Sequence, residues 1–437
     1  MLEHIKTGLL VILVVTSVCL SLLIWQGLPP PTTATNSPPS GGTFWGPGID
    51  VVELMVPSRI IVHLGEDKHS VLYSKTALFN QAWRPALDVL QQLGGCRGDQ
   101  LKLQPIDGAK WQAAQENLAV ELVFNYPVDP TLWGEVLGYD QVPAANWPVK
   151  RMLFLVEPQP ALLLASSTGD AFSRLELPSG GNELELVLQQ LSDSELPSYV
   201  RLADMPAPSF GLFLPEHDLS YPVLRPSGEE LEPKVVAGSF FADLSLTRCI
   251  NERDGATIYS DGRRGARVWP QGRVEYSAPE VLYGVRLPWG QALNRAVRFV
   301  TQHGGWPDTM RLARLQKITT NNGQVFYRLA FCQYEHGLPL ATPQIELELS
   351  DRGVASYRRG VWVSSRRNRI RTLSVTAAAA GVAALTAEGE LVVDVYPGYV
   401  MESNHELGTL LRPAWLAELA DARVVALEPS AGGGGSK

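Results

Sequence analysis

His63 and His69 stand six residues apart around Glu66 and Asp67, so four side chains of metal-ligating type fall within one short window. On a strand-to-loop corner the plainer reading is solvated polar residues, and a metal is the sharper alternative. His303-Gly304-Gly305-Trp306 has the HGG pattern of an oxyanion-binding segment. That role needs a nucleophile elbow, and the chain has no GxSxG, SxxK, HExxH, GxxxxGK or GxGxxG. Two glycines to leave a helix and a Trp to pack back then explain the segment as a C-cap. Glu183, Glu185, Asp193 and Glu195 read as the wet face and end of a helix, and Ser260-Asp261-Gly262 as a turn. Arg352 to Arg371 holds seven Arg and no acid. It reads as an exposed strand edge kept soluble by charge, or as a surface for anionic headgroups, wall polymers or an acidic partner. Cys96, Cys249 and Cys332 allow at most one disulfide, and spacing does not choose it.

These residues sit in a chain of 437 residues, 45% hydrophobic and 19% charged, which is long enough for two or three cores. That balance excludes a disordered chain and a polytopic membrane protein. A net charge of −8 argues against a nucleic-acid binder, because no global positive field exists to displace counterions from phosphate. Gly8 to Trp25, GLLVILVVTSVCLSLLIW, is uncharged. At about 1.5 Å per residue it nearly crosses a hydrocarbon core of about 30 Å. It is longer than the apolar part of an ordinary signal peptide, and Pro29 to Pro31 occupy the place of a cleavage site. A retained transmembrane helix over 7–27 is expected. Lys6 and the N-terminal amine place residues 1–6 in the cytoplasm and the bulk outside the cell membrane. Ser17 and Ser21, with Leu10 and Val14 along the same stripe, form a face on which a second helix could pack closely. Alternatively, the hydroxyls bond back to their own helix.

Residues 28–48 hold six prolines and read as a semi-rigid stalk. Beyond it the pattern suggests an N-terminal domain over 49–148, a central domain over 149–288, a C-terminal domain over 289–429 and a tail over 430–437. Expected strands are Glu53 to Leu64, Leu118 to Tyr126, Arg151 to Val156 and Leu162 to Ser166, with short ones near Ile258 and Arg267. Expected helices are Ala77 to Leu93, Asp107 to Asn117, Thr131 to Leu137, Glu183 to Leu191 and Gly290 to His303. Breaks fall at Pro143 to Pro148, Ala203 to Pro208 and Pro226 to Pro233. A meander of Arg311 to Thr319, Gln324 to Gln333, Ile345 to Leu349 and Val354 to Val363 follows, with a turn at Asn321-Asn322-Gly323. Helices laid on antiparallel sheets make the class α+β.

Taken in order along nearly the whole chain, several segments resemble the YycH family of regulators of a cell-wall sensor kinase. They are the opening MLEHIKTGLLVILVVTSVCLSLLIW; FFADLSLTRCINERDGATIYSDGRR from Phe240 to Arg264; HGGW at 303–306; GLPL at 337–340; and SYRRG at 356–360. Gly398-Tyr399 and Pro413-Ala414-Trp415 close the series. The Pro-rich stalk is longer than the resemblance implies, and the Arg-rich run has no counterpart in it. The resemblance implies a non-enzymatic, cofactor-free regulator with one membrane anchor. Its expected partners are the sensor histidine kinase WalK (YycG) and the sister single-pass protein YycI. His303, Gly304, Gly305, Trp306, Tyr399, Pro413 and Trp415 would be structural motif residues. Contacts through Leu10, Val14, Ser17 and Ser21, and through the region outside the membrane, would bias two states of the kinase, for which about 1 to 3 kcal/mol suffices. The competing readings are an anchored envelope enzyme, such as a wall hydrolase, and a ligand-binding module with an inter-domain pocket.

Overall fold

Asp50 sets the first described turn. Its carboxylate accepts from Val52 N at 3.0 Å and caps a short helix, Val51–Leu54. Strand Arg59–Leu64 starts only after Pro57, so the expected strand from Glu53 is a capped helical turn followed by a strand. The computed structural model describes residues 48–427, apart from 75, 95, 97–100, 139–144, 157–158, 178–181, 203–209, 229, 361 and 405–407. Ahead of these it describes Lys6, Leu13, Val14 and Ser17. The chain divides into two units, Met1–Ser40 and Gly41–Lys437. In the first, Leu13, Val14 and Ser17 are helical and exposed, and Leu10 and Ser21 lie outside the described residues. So do nearly all of the expected membrane span and stalk, and the tail over 430–437. No helix among the described residues is long and apolar enough to cross a membrane.

The second unit is α+β and is built on three antiparallel sheets. The first runs Gln104–Ile106, Phe172–Glu176, Ala161–Ser166, Val149–Leu155, Leu118–Val128, Arg59–Leu64, His69–Tyr73, Tyr199–Arg201, Phe213–Pro215. The second runs Arg248–Asn251, Thr257–Ser260, Gly265–Val268, Arg273–Ser277, Gly353–Gly360, Ile345–Ser350, Val325–Glu335, Met310–Thr319, with Leu338–Pro339 paired to Val325–Glu335. The third runs Trp362–Leu373, Leu219–Gly228, Gly408–Leu419, Val392–Asn404, with Val424–Leu427 paired to Gly408–Leu419. The suggested junctions at 148/149 and 288/289 therefore fall within sheets, since the first and second sheets each draw strands from both sides of one. Pro148 punctuates a strand connection. Val354 to Val363, expected as one strand, is divided between Gly353–Gly360 and Trp362–Leu373, which enter different sheets. Pro226 does not break the chain. It lies in strand Leu219–Gly228, and Pro233 opens helix Pro233–Phe240 at its first turn, where a missing N–H costs nothing.

Several helices form where their caps and apolar spacing place them. Ala77–Leu93 is capped by Thr76, Gly108–Gln115 by Asp107 and Pro130–Leu137 by Asp129. Ala77–Leu93 and Asn182–Ser192 cover one face of the first sheet, where Phe79, Ala86, Leu90 and Leu188 meet Ile60, Val62, Val120, Leu122 and Phe154. The other face carries the odd-numbered partners: Arg59, Ile61 and His63; Ala119, Glu121 and Val123; Arg151, Leu153 and Leu155. It is buried too, beneath helix Gly108–Gln115 and the third sheet. Helix Trp289–Gln302 packs on the second sheet, as the helix-on-meander pattern requires. The Arg-rich strand Trp362–Leu373 is an edge of the third sheet, and Arg369 is exposed there.

Candidate functional site

The buried second face of the first sheet holds the densest polar cluster of the described residues. Three strands that pair in register place Arg59, His63, Glu121 and Arg151 on that face, and the third sheet brings Asp394 and Glu418 down onto it. Arg151 Nη1 donates to Glu121 Oε1 at 2.6 Å, and its Nη2 lies 3.3 Å from Asp394 Oδ1. Arg59 also donates to Asp394. Lys150 Nζ donates to both Glu418 oxygens, at 2.6 and 2.8 Å. Glu121 Oε2 receives Gln115 Nε2 at 2.7 Å and lies 3.1 Å from His63 Nε2. Arg201 donates to Gln115 Oε1 at 2.6 Å. Burial works to raise the Glu121 carboxyl, yet the Arg151 guanidinium and the His63 hydrogen bond hold it down to about 2. Asp394 is likewise held below its usual range by Arg59 and Arg151 against its burial. The guanidinium of Arg151 lies over the Phe210 ring at 4.0 Å, and that of Arg59 over Tyr396 at 4.9 Å. These contacts satisfy ions that would be costly to bury alone.

The solvated corner expected around His63 and His69 is corrected here. Both imidazoles turn inward and are buried, with Nδ1 atoms 2.9 Å apart. Glu66 and Asp67 stay outside, in a tight turn at φ 51° and 55°. The four residues are therefore not brought together as one ligand set. No group of three or more His, Cys, Asp or Glu among the described residues is placed to hold a metal. The cysteines also stand apart as free thiols, Cys249 exposed and Cys332 buried. Burial pushes the Cys332 thiol up to about 12.

A cleft of about 120 Å³ opens beside this cluster, where the three sheets meet. Asn125 and Tyr126 come from the first sheet, Arg314 and Cys332 from the second, and Tyr396 and Glu418 from the third. Pro339 and Leu340 add an apolar wall.

The motif residues meet one another in two knots. In the first, helix Trp289–Gln302 ends at His303, and Gly304 and Gly305 take φ of 123° and 73°, which favours glycine. Gly305 N returns to Val300 O at 2.9 Å. From SYRRG, Tyr357 Oη donates to His303 O at 3.2 Å, and Arg359 donates to the Gly305 and Gly304 carbonyls at 2.8 and 3.1 Å. Trp306 Nε1 donates to Val297 O at 3.2 Å. Phe240, from the long segment, stacks on the His303 ring at 4.2 Å, and Ser239 Oγ lies 2.8 Å from its Nδ1. Burial pushes this imidazole down to about 4. In the second knot Tyr399 Oη donates to Pro222 O at 3.0 Å, and Ala341 N donates to Tyr399 O at 2.8 Å, beside Leu338 and Leu340 of GLPL. Pro413 faces Tyr399, and Trp415 faces Pro397 across the third sheet. The buried Arg59, Lys150, Arg151 and Glu121 belong to no motif of the sequence, although adjacent Lys150-Arg151 inside VKRMLFL is a usable signal. A charged pair in an otherwise apolar strand must find counter-ions if the strand is buried on both faces.

These features define a three-sheet α+β scaffold joined through a buried ionic face and two motif knots. The crystal structure of YycH from Bacillus subtilis has this fold: it superposes with a TM-score of 0.63 at 14% identity, covering 88% of this chain and 98% of that one. An uncharacterized protein from Eubacterium rectale superposes at 0.34 with 8% identity, over 55% of this chain and 88% of that one, too loosely to define a fold. No family model matches the chain, and no curated protein matches it.

Proposed function

We propose that this chain is a YycH-like, non-enzymatic regulator of a sensor histidine kinase. One helix over 7–27 holds it in the cell membrane, with residues 1–6 in the cytoplasm and the bulk outside. It acts with a YycI-like single-pass protein on a WalK-like kinase. The observation that carries this reading is the YycH fold over 88% of the chain. The meeting of HGGW with SYRRG, which pins helix Trp289–Gln302 to the second sheet, and of GLPL with Gly398-Tyr399, which joins the second and third sheets, supports it, because the segments behind the resemblance are those that meet in the fold. Photocrosslinking from positions 17 and 21 of the full-length protein tests it. Capture of a histidine kinase or a second single-pass protein is the expected result. Capture of neither, at good expression, from these positions or from positions on the folded unit, overturns the regulator reading.

One observation favours a second reading, a ligand-binding module: the cleft at the junction of the three sheets. Native mass spectrometry of the purified protein would reveal a bound small molecule or peptide, and wild-type protein that stays at its bare mass speaks against it.

A further inference from the structure

The hairpin of strands Arg59–Leu64 and His69–Tyr73 closes with His63 opposite His69, so two imidazoles face each other inside the fold. Both residues are buried, at 0% and 3% exposure, and the Phe213 ring lies against both, at 5.8 and 4.9 Å. The positions of the hydrogens follow from the partners. Glu121 is an ionised carboxylate, so His63 Nε2 carries a hydrogen and donates to it. In the uncharged pair His63 Nδ1 is a lone pair, and His69 Nδ1 donates to it across 2.9 Å. What remains is His69 Nε2, a buried lone pair with no hydrogen-bond partner among the described residues.

A proton taken up by this pair has no uncommitted counter-ion among the described residues. Glu121, on the neighbouring strand, is already shared among Arg151, His63 and Gln115. Gln115, from helix Gly108–Gln115, is an uncharged amide. Asp67, on the hairpin's own turn, is exposed. From the edge strand come Tyr199, a neutral phenol in register with His69, and Arg201, a cation whose guanidinium lies 5.2 Å from the Phe213 ring. A new imidazolium on His69 therefore faces Arg201 with its open N–H unpaired, favoured only by the already shared Glu121 and the exposed Asp67.

The position of the pair gives its charge a mechanical consequence. Strand Tyr199–Arg201 joins the first sheet through one register pair, His69 with Tyr199. Its neighbour Phe213–Pro215 carries Leu214, which packs with Leu212, Leu373, Val382, Val392 and Trp415 in the core of the third sheet. The two edge strands are thus clasped by the first sheet on one side and by the third on the other.

We propose that the His63–His69 pair is a proton-operated latch: its protonation in mildly acidic surroundings frees the edge strands Tyr199–Arg201 and Phe213–Pro215 from the first sheet and so loosens the third sheet's seat. Burial first, then His63 and Arg201, hold His69 down to about 4 against an ordinary 6.5. The closed form refuses a proton that the opened segment accepts. The closing free energy is therefore complete above about pH 6.5 and declines as pH falls towards about 4. At about pH 5 the opening equilibrium rises about 30-fold.

Hydrogen exchange of the full chain, read by mass spectrometry at about pH 7 and about pH 5 and corrected for the intrinsic rate, tests this. Peptides spanning 199–201 and 213–215 are expected to lose about 30-fold in protection in the wild type and less than about 3-fold in His69→Gln. Strand Ala161–Ser166, four strands from His69–Tyr73 in the first sheet, serves as the comparison and is expected to keep its protection. Wild-type edge strands that keep their protection within about 3-fold, or an equal loss in His69→Gln, overturn the latch. If His69→Gln does not fold, the His69 Cε1 proton shift of the wild type decides instead: a midpoint below about 5 is expected, and one near about 6.5 refutes the proposal.

Discussion

Lys150 and Glu418 offer the sharpest test of the joint between the first and third sheets. The residues are 268 apart in sequence, and their side chains are 2% and 8% exposed. The substitution Glu418→Gln keeps the shape and one hydrogen bond but removes the charge. At a separation of about 2.7 Å and an effective dielectric of about 20, the attraction lost is about 6 kcal/mol. The amide still accepts a hydrogen bond and returns part of that loss. The ammonium, however, stays out of water, at a cost of several kcal/mol. The net destabilisation should be about 3 to 5 kcal/mol, more than a hundredfold in the folding constant. Removing both charges together, as Lys150→Met with Glu418→Leu, leaves no stranded ion and should fall within about 1.5 kcal/mol of wild type. Urea unfolding of wild type, Lys150→Met, Glu418→Leu and the double variant closes the cycle, with an expected coupling of at least about 2 kcal/mol. A loss below about 1 kcal/mol for Glu418→Gln, or a double variant no better than its worse single, would refute the reasoning.

Other expectations follow from single contacts. Gly337 has φ +82°, and a Cβ there would collide with the Ser74 carbonyl oxygen, so Gly337→Ala should cost about 2 to 4 kcal/mol in urea unfolding. Arg359→Met strands the Gly304 and Gly305 carbonyls and should cost about 2 kcal/mol, with faster hydrogen exchange at the end of helix Trp289–Gln302. Burial holds His303 down to about 4, so stability is complete above about pH 6.5 and declines towards pH 4 by up to about 3 kcal/mol. His303→Phe, which keeps the stack on Phe240, should flatten that part of the pH profile. In native protein, exposed Cys249 should react with a maleimide at least a hundredfold faster, on the order of magnitude set by local opening, than buried Cys332, and the two rates should converge in urea.

Several helices are legible in the sequence: Leu78 to Leu93 shows the apolar spacing, and Asp107 and Asp129-Pro130 each announce a start. The meander is legible because Ile345 to Leu349 alternates apolar and acidic residues, and only one face of that strand is buried. Strand Arg59–Leu64 hides its function because both of its faces are covered. Alternation then disappears, and a histidine in such a run looks like one more corner residue. The third sheet hides for a different reason. Pro222, Pro226, Pro397 and Pro413 all lie inside its strands, where proline usually argues against a strand. Helix Val375–Ala387 is apolar nearly all round, so it offers no periodic stripe to read. Partners such as Arg59 and Asp394, 335 residues apart, meet only through the register of two sheets, and no local rule reports that.

That register explains why ions occupy a face that apolar side chains could have filled. Along the joint the charges alternate: Arg59 and Arg151 flank Asp394, Arg151 reaches on to Glu121, and Glu121 reaches His63. An apolar face tolerates a sliding partner, because one methyl group replaces another at little cost. Here a one-residue slip of strand Val392–Asn404 would present Val393, which now packs with Trp111 and Phe210, to two buried guanidiniums and turn Asp394 into that apolar cluster. Each mismatch strands a buried ion, so the wrong registers are far less stable even if the right one gains little over a greasy contact. The joint is thereby specific without being strong.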